Sequence, residues 1–356
     1  KEDVCGECSD MQSKITRART EISRQKTVEE LKAHMEKANV ARDHYRACIA
    51  KAKDAIAEQQ SSELQAPAYE HFTFDFAQQA HIPHHAREVG ALYFKVPRRI
   101  QIFGVAAEAV PAQHNYLFDE NETIGVDGSK CHGPNSVVSL LHFHLQQHAK
   151  GAHDIGLHAD NCCGQNKNKT VVGYLCWRVI VGLNESIDLC FMRVGHTRCF
   201  VDGGFGLLKQ TYRKSDVDTL QQLADATDKS AAFNKAVLFS WDWRQWDAYL
   251  STVFKPVKNI TKYQNFHFSA DKPGMVEMSG SSTEADKTLS IIKPDADIST
   301  LKTEVLPPAL QPAGMSHARA DYLFKQVRQH CHEENRDITC PAPTAVAAVA
   351  ATLPTE

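Results

Sequence analysis

A cluster of polar residues follows a short apolar run at 157–170, which reads LHADNCCGQNKNKT. The run delivers Asp160 at its carboxyl end, and nearly all of the next nine residues are polar or small. In an open α/β sheet, ligands and metals bind beyond the carboxyl ends of the strands. A carboxylate there needs water, a cation or a donor, and Asn161, Gln165 and Lys167 supply donors suited to phosphate or bound water. The alternative is that Asp160 only caps the following turn, as Asp before Asn commonly does.

Two further acids occupy comparable positions in the chain. Asp75 follows alternating aromatic residues in HFTFDF, and Asp202 lies near the start of a glycine-rich helix, VDGGFGLLKQ. Each of them alone is more often a cap than a ligand. Together with Asp160 they form the set that a pair of Mg²⁺ ions needs, because Mg²⁺ prefers hard oxygen ligands and keeps much of its water. Two such ions roughly 4 Å apart can activate the attacking oxygen and stabilise the leaving oxygen of a phosphodiester.

Cysteines suggest a second kind of site. Cys5 and Cys8 have the C-x-x-C spacing of half a Zn²⁺ site, which could be completed upstream or by His34 or His44. Half-sites often bind nothing, so packing alone is the alternative. The chain opens at Lys1 rather than Met, and we expect further residues upstream. The number of cysteines, eleven, is odd, and several lie in apolar runs, which predicts mostly free thiols in a reducing compartment.

Hydrophobic periodicity predicts the elements that position these residues. Segment 14–53 has no Pro or Gly and repeats apolar residues at steps of three, four and seven, which indicates one long helix or a helical hairpin. Strands are predicted at 71–76, 91–96, 100–107, 116–118, 154–158 and 187–194, and helices at 135–150, at 170–182 and after the turn that precedes Asp202. This alternation indicates an α/β layer with parallel pairing in its second half.

Charge and composition limit the class of protein. With 42% hydrophobic and 23% charged residues the chain has a globular composition, and no run approaches the roughly 20 apolar residues of a membrane span, so no membrane partner is expected. The net charge of −3 argues against a uniformly basic surface. Segment 14–53 nevertheless carries eleven Lys and Arg against five Asp and Glu. This surplus predicts either a solvated helical face or contact with the phosphate backbone of DNA.

The motifs resemble those of a known group of proteins. ADNCCGQNKNK, then GYLCWRV, then VGHTRCFVDGGFGLLKQ are similar to a eukaryotic family of transposon-derived proteins related to ribonuclease H-like transposases. The resemblance implies an α/β fold with a ribonuclease H-like mixed sheet flanked by helices, an N-terminal long helical region and a small C-terminal module. The domains expected are a basic helical region at 1–66, the core at 67–225, an α+β module at 226–340 and a disordered tail at 341–356.

The resemblance also implies roles for individual residues. Asp75, Asp160 and Asp202 would be the catalytic and metal-binding acids, with His196 beside the scissile phosphate, Mg²⁺ or Mn²⁺ as cofactor and DNA as partner. Competitors for the third acid are Glu185, Asp188 and Asp216. A nuclear location and a homo-oligomer are further expectations. The alternative function is a transposon relic that binds DNA or protein without cutting, which would suit the nearly neutral overall charge.

Overall fold

The computed structural model of the chain describes residues 5–87, 89–280 and 287–343. Its α-helices are α1 (Gly6–Arg17), α2 (Glu21–Ser61), α3 (Gly90–Tyr93), α4 (Pro134–Gln147), α5 (Lys169–Ile180), α6 (Phe200–Tyr212), α7 (Leu220–Ser230), α8 (Trp246–Val253), α9 (His317–Tyr322) and α10 (Arg336–Thr339). Its strands are β1 (Tyr69–Phe76), β2 (Ala80–Ile82), β3 (Arg98–Ala107), β4 (Ala112–Asp119), β5 (Asp154–Ala159), β6 (Ser186–Phe191), β7 (Asn234–Leu238), β8 (Trp243–Arg244), β9 (Asn265–Ser269), β10 (Met275–Ser279), β11 (Lys287–Ser290) and β12 (Ala309–Leu310).

One mixed sheet organises the described chain. Its ten strands run in the order β11-β10-β9-β6-β5-β1-β3-β4-β7, with β2 paired to β3. At its centre β1, β3 and β4 form an antiparallel meander, and β5 and β6 run parallel to β1. This is the order and direction of strands in a ribonuclease H-like sheet, so the expected fold class is confirmed.

The two faces of the sheet differ in chemistry because successive side chains on a strand point to opposite faces. On one face Phe72, Phe74, Ile155 and Leu157 belong to the main core together with apolar residues of α4 and α5. The opposite face is covered by α2, α6 and α7, and there β1 contributes Thr73 and then Asp75 instead. The residues with reactive side chains therefore share the face that the long helix covers.

The sequence predicted most of the central elements, with two exceptions. The strand expected at 91–96 does not form, because the chain makes the short helix α3 and a turn before Pro97, which leaves Tyr93 and Phe94 exposed. The apolar repeat that predicted the helix at 14–53 is also only partly buried, since Ile22 and Met35 face solvent. The buried face of α2 includes Tyr45, Ile49 and Ile56. Its other members are small or polar, and they are Thr27, His34, Ala38, Cys48, Ala52 and Ala55.

The segment after residue 226 adds strands to both edges of the same sheet. Strand β7 pairs in parallel with β4, and β9 pairs in antiparallel fashion with β6 before β10 and β11 extend the edge. Most of the tail expected to be disordered, from residue 344 onward, lies outside the described residues. Among the described helices none has the length and apolar character of a bilayer span.

Candidate functional site

Asp75 and Asp160 lie side by side at the carboxyl end of two adjacent strands. Strands β1 and β5 are parallel, and Thr73 pairs with His158. Asp75 and Asp160 each lie two residues beyond that pair, so they reach the same level of the sheet and the same face. The two strands are direct neighbours in the sheet.

Asp202 approaches this pair from the helix that crosses the sheet. It is the third residue of α6 and forms a capping box with Cys199, whose backbone N–H donates to Asp202 Oδ2 at 2.9 Å. Helix α6 packs on β3 where Gly104 pairs with Asp75. The absence of a side chain at Gly104 permits this approach, because a Cβ there would lie 2.8 Å from Val201 Cγ2.

Each of the three carboxylates uses one oxygen for a local hydrogen bond. Asp75 Oδ1 accepts from the N–H of Phe76 at 2.7 Å, and Asp160 Oδ1 accepts from the N–H of Cys162 at 3.0 Å and from Asn166 Nδ2 at 2.7 Å. Asp160 is therefore a turn cap, as the alternative interpretation proposed. Within the described residues, the second oxygen of each acid has no hydrogen-bond partner, which leaves it available to a ligand.

Electrostatics link the three acids. The pKa of Asp75 is raised to about 7, first by burial, then by the charge of Asp160 and, more weakly, by that of Asp202. Its hydrogen bond from Phe76 opposes these effects without cancelling them. Like charges in a poorly hydrated site favour uptake of a proton or a cation. The arrangement thus has the electrostatics of an acidic ligand set for a cation.

The acids that competed for the third position lie elsewhere. Glu185 precedes β6 and is 3.5 Å from His153, at the opposite end of the strands from Asp160. Asp188 accepts from His267 Nδ1 at 2.7 Å, and Asp216 accepts from the N–H of Ala86.

The polar loop after Asp160 uses its donors internally. Lys167 is buried, and its Nζ donates to Asn161 Oδ1 at 2.8 Å, while Asn161 Nδ2 donates to the carbonyl of Met192. Burial lowers the pKa of Lys167 to about 8. Gln165 is half-buried, and its backbone N–H closes the turn onto the carbonyl of Cys162. The structure therefore gives Asn161 and Lys167 a role in holding the loop, where the sequence suggested phosphate donors.

A separate cluster joins the start of the chain to the loop after β6. Cys5 Sγ lies 3.4 Å from His34 Nε2, Cys8 Sγ lies 3.6 Å from His196 Nε2, and the two imidazole nitrogens are 3.0 Å apart. Cys5, Cys8 and His34 are buried, and His196 is half-buried. The structure thus places His196 with two sulfurs and a second imidazole, whereas the sequence had grouped it with the acids.

Local contacts orient this cluster. Cys5 and Cys8 are three residues apart at the start of α1, so both thiols face one side. Glu7 accepts from His34 Nδ1 at 2.8 Å and thereby directs Nε2 towards the sulfurs. Gly195 has a φ of +79° and lies against Cys5, where a Cβ would be 2.8 Å from Cys5 Cβ. Both the positive φ and the close contact with Cys5 favour glycine at position 195.

The distances between potential ligand atoms separate the groups of Cys and His, which are soft ligands, from the three Asp residues, which are hard ligands. In the described part of the chain, groups of three or more acidic, His or Cys ligand atoms within 4.8 Å of one another are Cys5, Cys8, His34 and His196, and also His44, Cys48 and His158. Both groups can hold a metal ion. Asp75, Asp160 and Asp202 do not form so tight a group, as expected for three uncompensated negative charges.

Comparison with known proteins yields one match. A family model described as a domain of unknown function, DUF7869, matches residues 121–286. No curated protein and no solved structure matches the chain. The matched segment includes Asp160, His196 and Asp202, whereas Asp75 and the Cys5–Cys8 pair lie before it.

Sequence reasoning missed that His196 lies beside the N-terminal cysteines. The C-x-x-C spacing was recognised, and His34 was one of the candidates to complete it. The fourth residue lies 188 positions after Cys8. No spacing rule connects Cys8 with His196. The Gly195-His196 pair in a predicted turn was nevertheless a signal that could have drawn attention to this histidine.

Proposed function

We propose that the protein is a transposase-like nuclease that cuts or joins DNA phosphodiesters in the nucleus, as the resemblance to the transposon-derived family implies. One observation carries the proposal: Asp75 and Asp160 end adjacent parallel strands at the same level of a ribonuclease H-like sheet, and Asp202 stands on α6, which packs on β1 and β3. The raised pKa of Asp75, to about 7, supports a shared acidic site.

The donor set fits Mg²⁺. Among the residues that the structure describes, each of the three acids keeps one oxygen free of hydrogen bonds, and Mg²⁺ prefers such hard ligands. When bound, a pair of ions supplies Lewis acidity at the attacking and leaving oxygens of a phosphodiester. The contribution of the chain is to hold Asp75, Asp160 and Asp202 close enough to repel one another, so that cation binding relieves the repulsion.

DNA would be bound by the basic helical region. Arg17, Arg24, Lys32 and Arg46 are exposed on α1 and α2. Arg42, by contrast, donates to the carbonyl of His196 and holds the loop before α6. The exposed cations can therefore contact phosphates without disturbing the acidic site.

The second candidate is a relic that binds DNA without cutting. It is favoured by the looser spacing of the three acids compared with the Cys and His clusters, and by the net charge of −3. Cleavage assays separate the two candidates.

The test is cleavage of duplex DNA by the full chain with Mg²⁺ or Mn²⁺, alongside Asp75→Asn, Asp160→Asn and Asp202→Asn. We expect each variant to lose cleavage by about a hundredfold or more while DNA binding is kept or slightly tightened, because one negative charge facing the phosphates is gone. Glu185→Gln, at the opposite end of the strands, is the matched control and should cleave normally. A wild type that binds DNA but never cuts it would favour the relic.

We further propose Zn²⁺ as the occupant of the cluster formed by Cys5, Cys8, His34 and His196. Tetrahedral bonds of about 2.3 Å to sulfur and about 2.0 Å to nitrogen place ligand atoms roughly 3.3–3.8 Å apart. The cluster distances of 3.4, 3.6 and 3.0 Å are close to that range. Glu7 supplies the carboxylate that commonly supports a zinc-bound histidine.

Metal analysis of the purified full chain tests this assignment. Cys8→Ser and His196→Ala should each remove one zinc ion per chain relative to wild type, whereas Cys131→Ser, a half-buried thiol outside the cluster, should remove none. An unchanged zinc content in Cys8→Ser and His196→Ala would contradict the assignment.

A further inference from the structure

Helix α2 lies on the sheet with little apolar contact. It has 41 residues, which makes it about 60 Å long, yet its buried face is mostly small or polar. Over the described part of the chain, the main core contains no residue of α2. Its apolar contacts with the sheet face are two small clusters, built around Tyr45 and Ile49 and around Ala52 and Ala55. Something other than a hydrophobic stripe is needed to explain how so long a helix docks.

Three potential metal ligands meet midway along this contact, and a fourth lies beside one of them. His44 and Cys48 are one helical turn apart on α2, so they share a face. His158 on β5 pairs directly with Cys190 on β6, and both point to that helix. His44 Nε2 is 3.8 Å from Cys48 Sγ and 3.4 Å from Cys190 Sγ. The ligand atoms of His44, Cys48 and His158 all lie within 4.8 Å of one another.

Neighbouring groups orient two of these ligands. His158 Nδ1 is 2.8 Å from His71 Nε2, and both rings are buried. If His158 donates this bond, its Nε2 keeps a lone pair directed away from His71, which is the state a metal-binding histidine needs. Burial raises the pKa of the Cys48 thiol, and a hydrogen bond with the Tyr69 hydroxyl, which orients the sulfur, partly opposes that rise.

We propose that His44, Cys48, His158 and Cys190 form a second soft-metal site, occupied by Zn²⁺, that fastens α2 to the sheet. Two thiolates and two imidazoles are a donor set that selects Zn²⁺ over Mg²⁺. His44, Cys48 and His158 already meet, and Cys190 lies beside His44 as the fourth ligand. This site is independent of the nuclease proposal and shares no residue with the cluster at Cys5.

The experiment titrates metal-free full-length chain with Co²⁺, whose thiolate charge-transfer absorption reports sulfur ligands. The Cys5→Ser/Cys8→Ser variant isolates the second site and should still bind one Co²⁺ per chain with a charge-transfer band. Adding Cys48→Ser to it should abolish that binding, whereas adding Cys131→Ser should leave it intact. Absence of Co²⁺ binding in the Cys5→Ser/Cys8→Ser variant, or a band that survives Cys48→Ser, would overturn the site.

A second variant distinguishes loss of a metal ligand from misfolding of the chain. His44 is exposed, so His44→Ala removes a ligand without opening a cavity in the core. With the helical circular dichroism signal retained, this variant should bind Co²⁺ at least tenfold more weakly in the Cys5→Ser/Cys8→Ser background. Unchanged affinity would contradict the proposal.

Discussion

Burial and the charges of neighbouring acids together set the pKa of the Asp75 carboxyl group. The folded chain raises its pKa to about 7, well above the value of about 3.9 of a free Asp side chain. The folded state therefore binds more protons than the unfolded state between roughly pH 4 and pH 7. Stability contributed by the protonated form is lost as the pH rises through that window.

The first prediction concerns the pH dependence of stability that results from the raised pKa of Asp75. The free energy of unfolding of the metal-free wild type should fall by about 4 kcal/mol more than that of Asp75→Asn between pH 4 and pH 8, because Asn cannot ionise. Urea denaturation at several pH values measures this difference. Added Mg²⁺ should restore stability to the wild type at pH 8 and should do so less in Asp75→Asn. Parallel pH profiles for the two proteins would contradict the raised pKa.

The neighbours of His196, unlike the positions of the three acids, could not be predicted from the sequence. The three acids could be proposed from the sequence because each lies at the end of a strand or the start of a helix, a position that local pattern reveals. His196 also lies in a recognisable motif, but its neighbours depend on where α1 and α2 dock, and His34 is 162 residues away. Contacts at that separation leave no trace in periodicity.

At the scale of elements, the strands were predictable and the docking of the helices was not. Strands β1, β3 and β5 follow from apolar and aromatic runs, since burial between helices requires them. The segment at 91–96 has a similar composition but lies outside the sheet, because Leu92 packs instead with Leu323 and Val327 near the end of the described chain. Helix α2 was predicted from its period, while its buried face of His, Cys and Ala was not.

The second prediction concerns the approach of α6 to the sheet. In Gly104→Ala the new Cβ would lie 2.6 Å from the Phe205 ring and 2.8 Å from Val201, so α6 must shift away. We expect a loss of about 1–3 kcal/mol in unfolding free energy and about a tenfold loss of Mg²⁺-dependent cleavage, because Asp202 moves with the helix. Thermal denaturation and the cleavage assay measure the two effects.

Gly206→Ala provides the control for this substitution. It lies in the same helix with no heavy atom within 4 Å of the new Cβ, so it should keep or slightly raise stability. If both alanine variants behave alike, the close packing of α6 on β3 does not position Asp202.

At the scale of the whole molecule, charge is unevenly distributed along a nearly neutral chain. The third prediction is that replacing Arg17, Arg24, Lys32 and Arg46 by Gln reduces the slope of log affinity for DNA against log salt by about three to four units, since each phosphate contact contributes about 0.9. Fluorescence anisotropy across a salt series measures the slope. An equal change of charge at exposed lysines elsewhere should alter it by less than one unit, and the matched set is Lys229, Lys235, Lys258 and Lys302.

The fourth prediction tests how the N-terminal helices are attached. Removing metal with a chelator should make α1 and α2 sensitive to limited proteolysis while the sheet from β1 onward stays protected, because few apolar contacts hold these helices. Mass spectrometry of the fragments identifies the cleavage sites. Re-addition of Zn²⁺ should restore protection, and equal resistance with and without chelator would show that metal does not fasten them.

The link between Cys8 and His196 also bears on the order in which the molecule is made. The ribosome releases His34 long before His196, which follows 162 residues later. At synthesis rates of about 5–20 residues per second, the interval is roughly 8 to 32 s. During that time the cluster of Cys5, Cys8 and His34 lacks its fourth ligand, and the strands on which α2 docks are still being added. Docking of these helices therefore waits until the chain has been made as far as His196, although the helices themselves emerge much earlier.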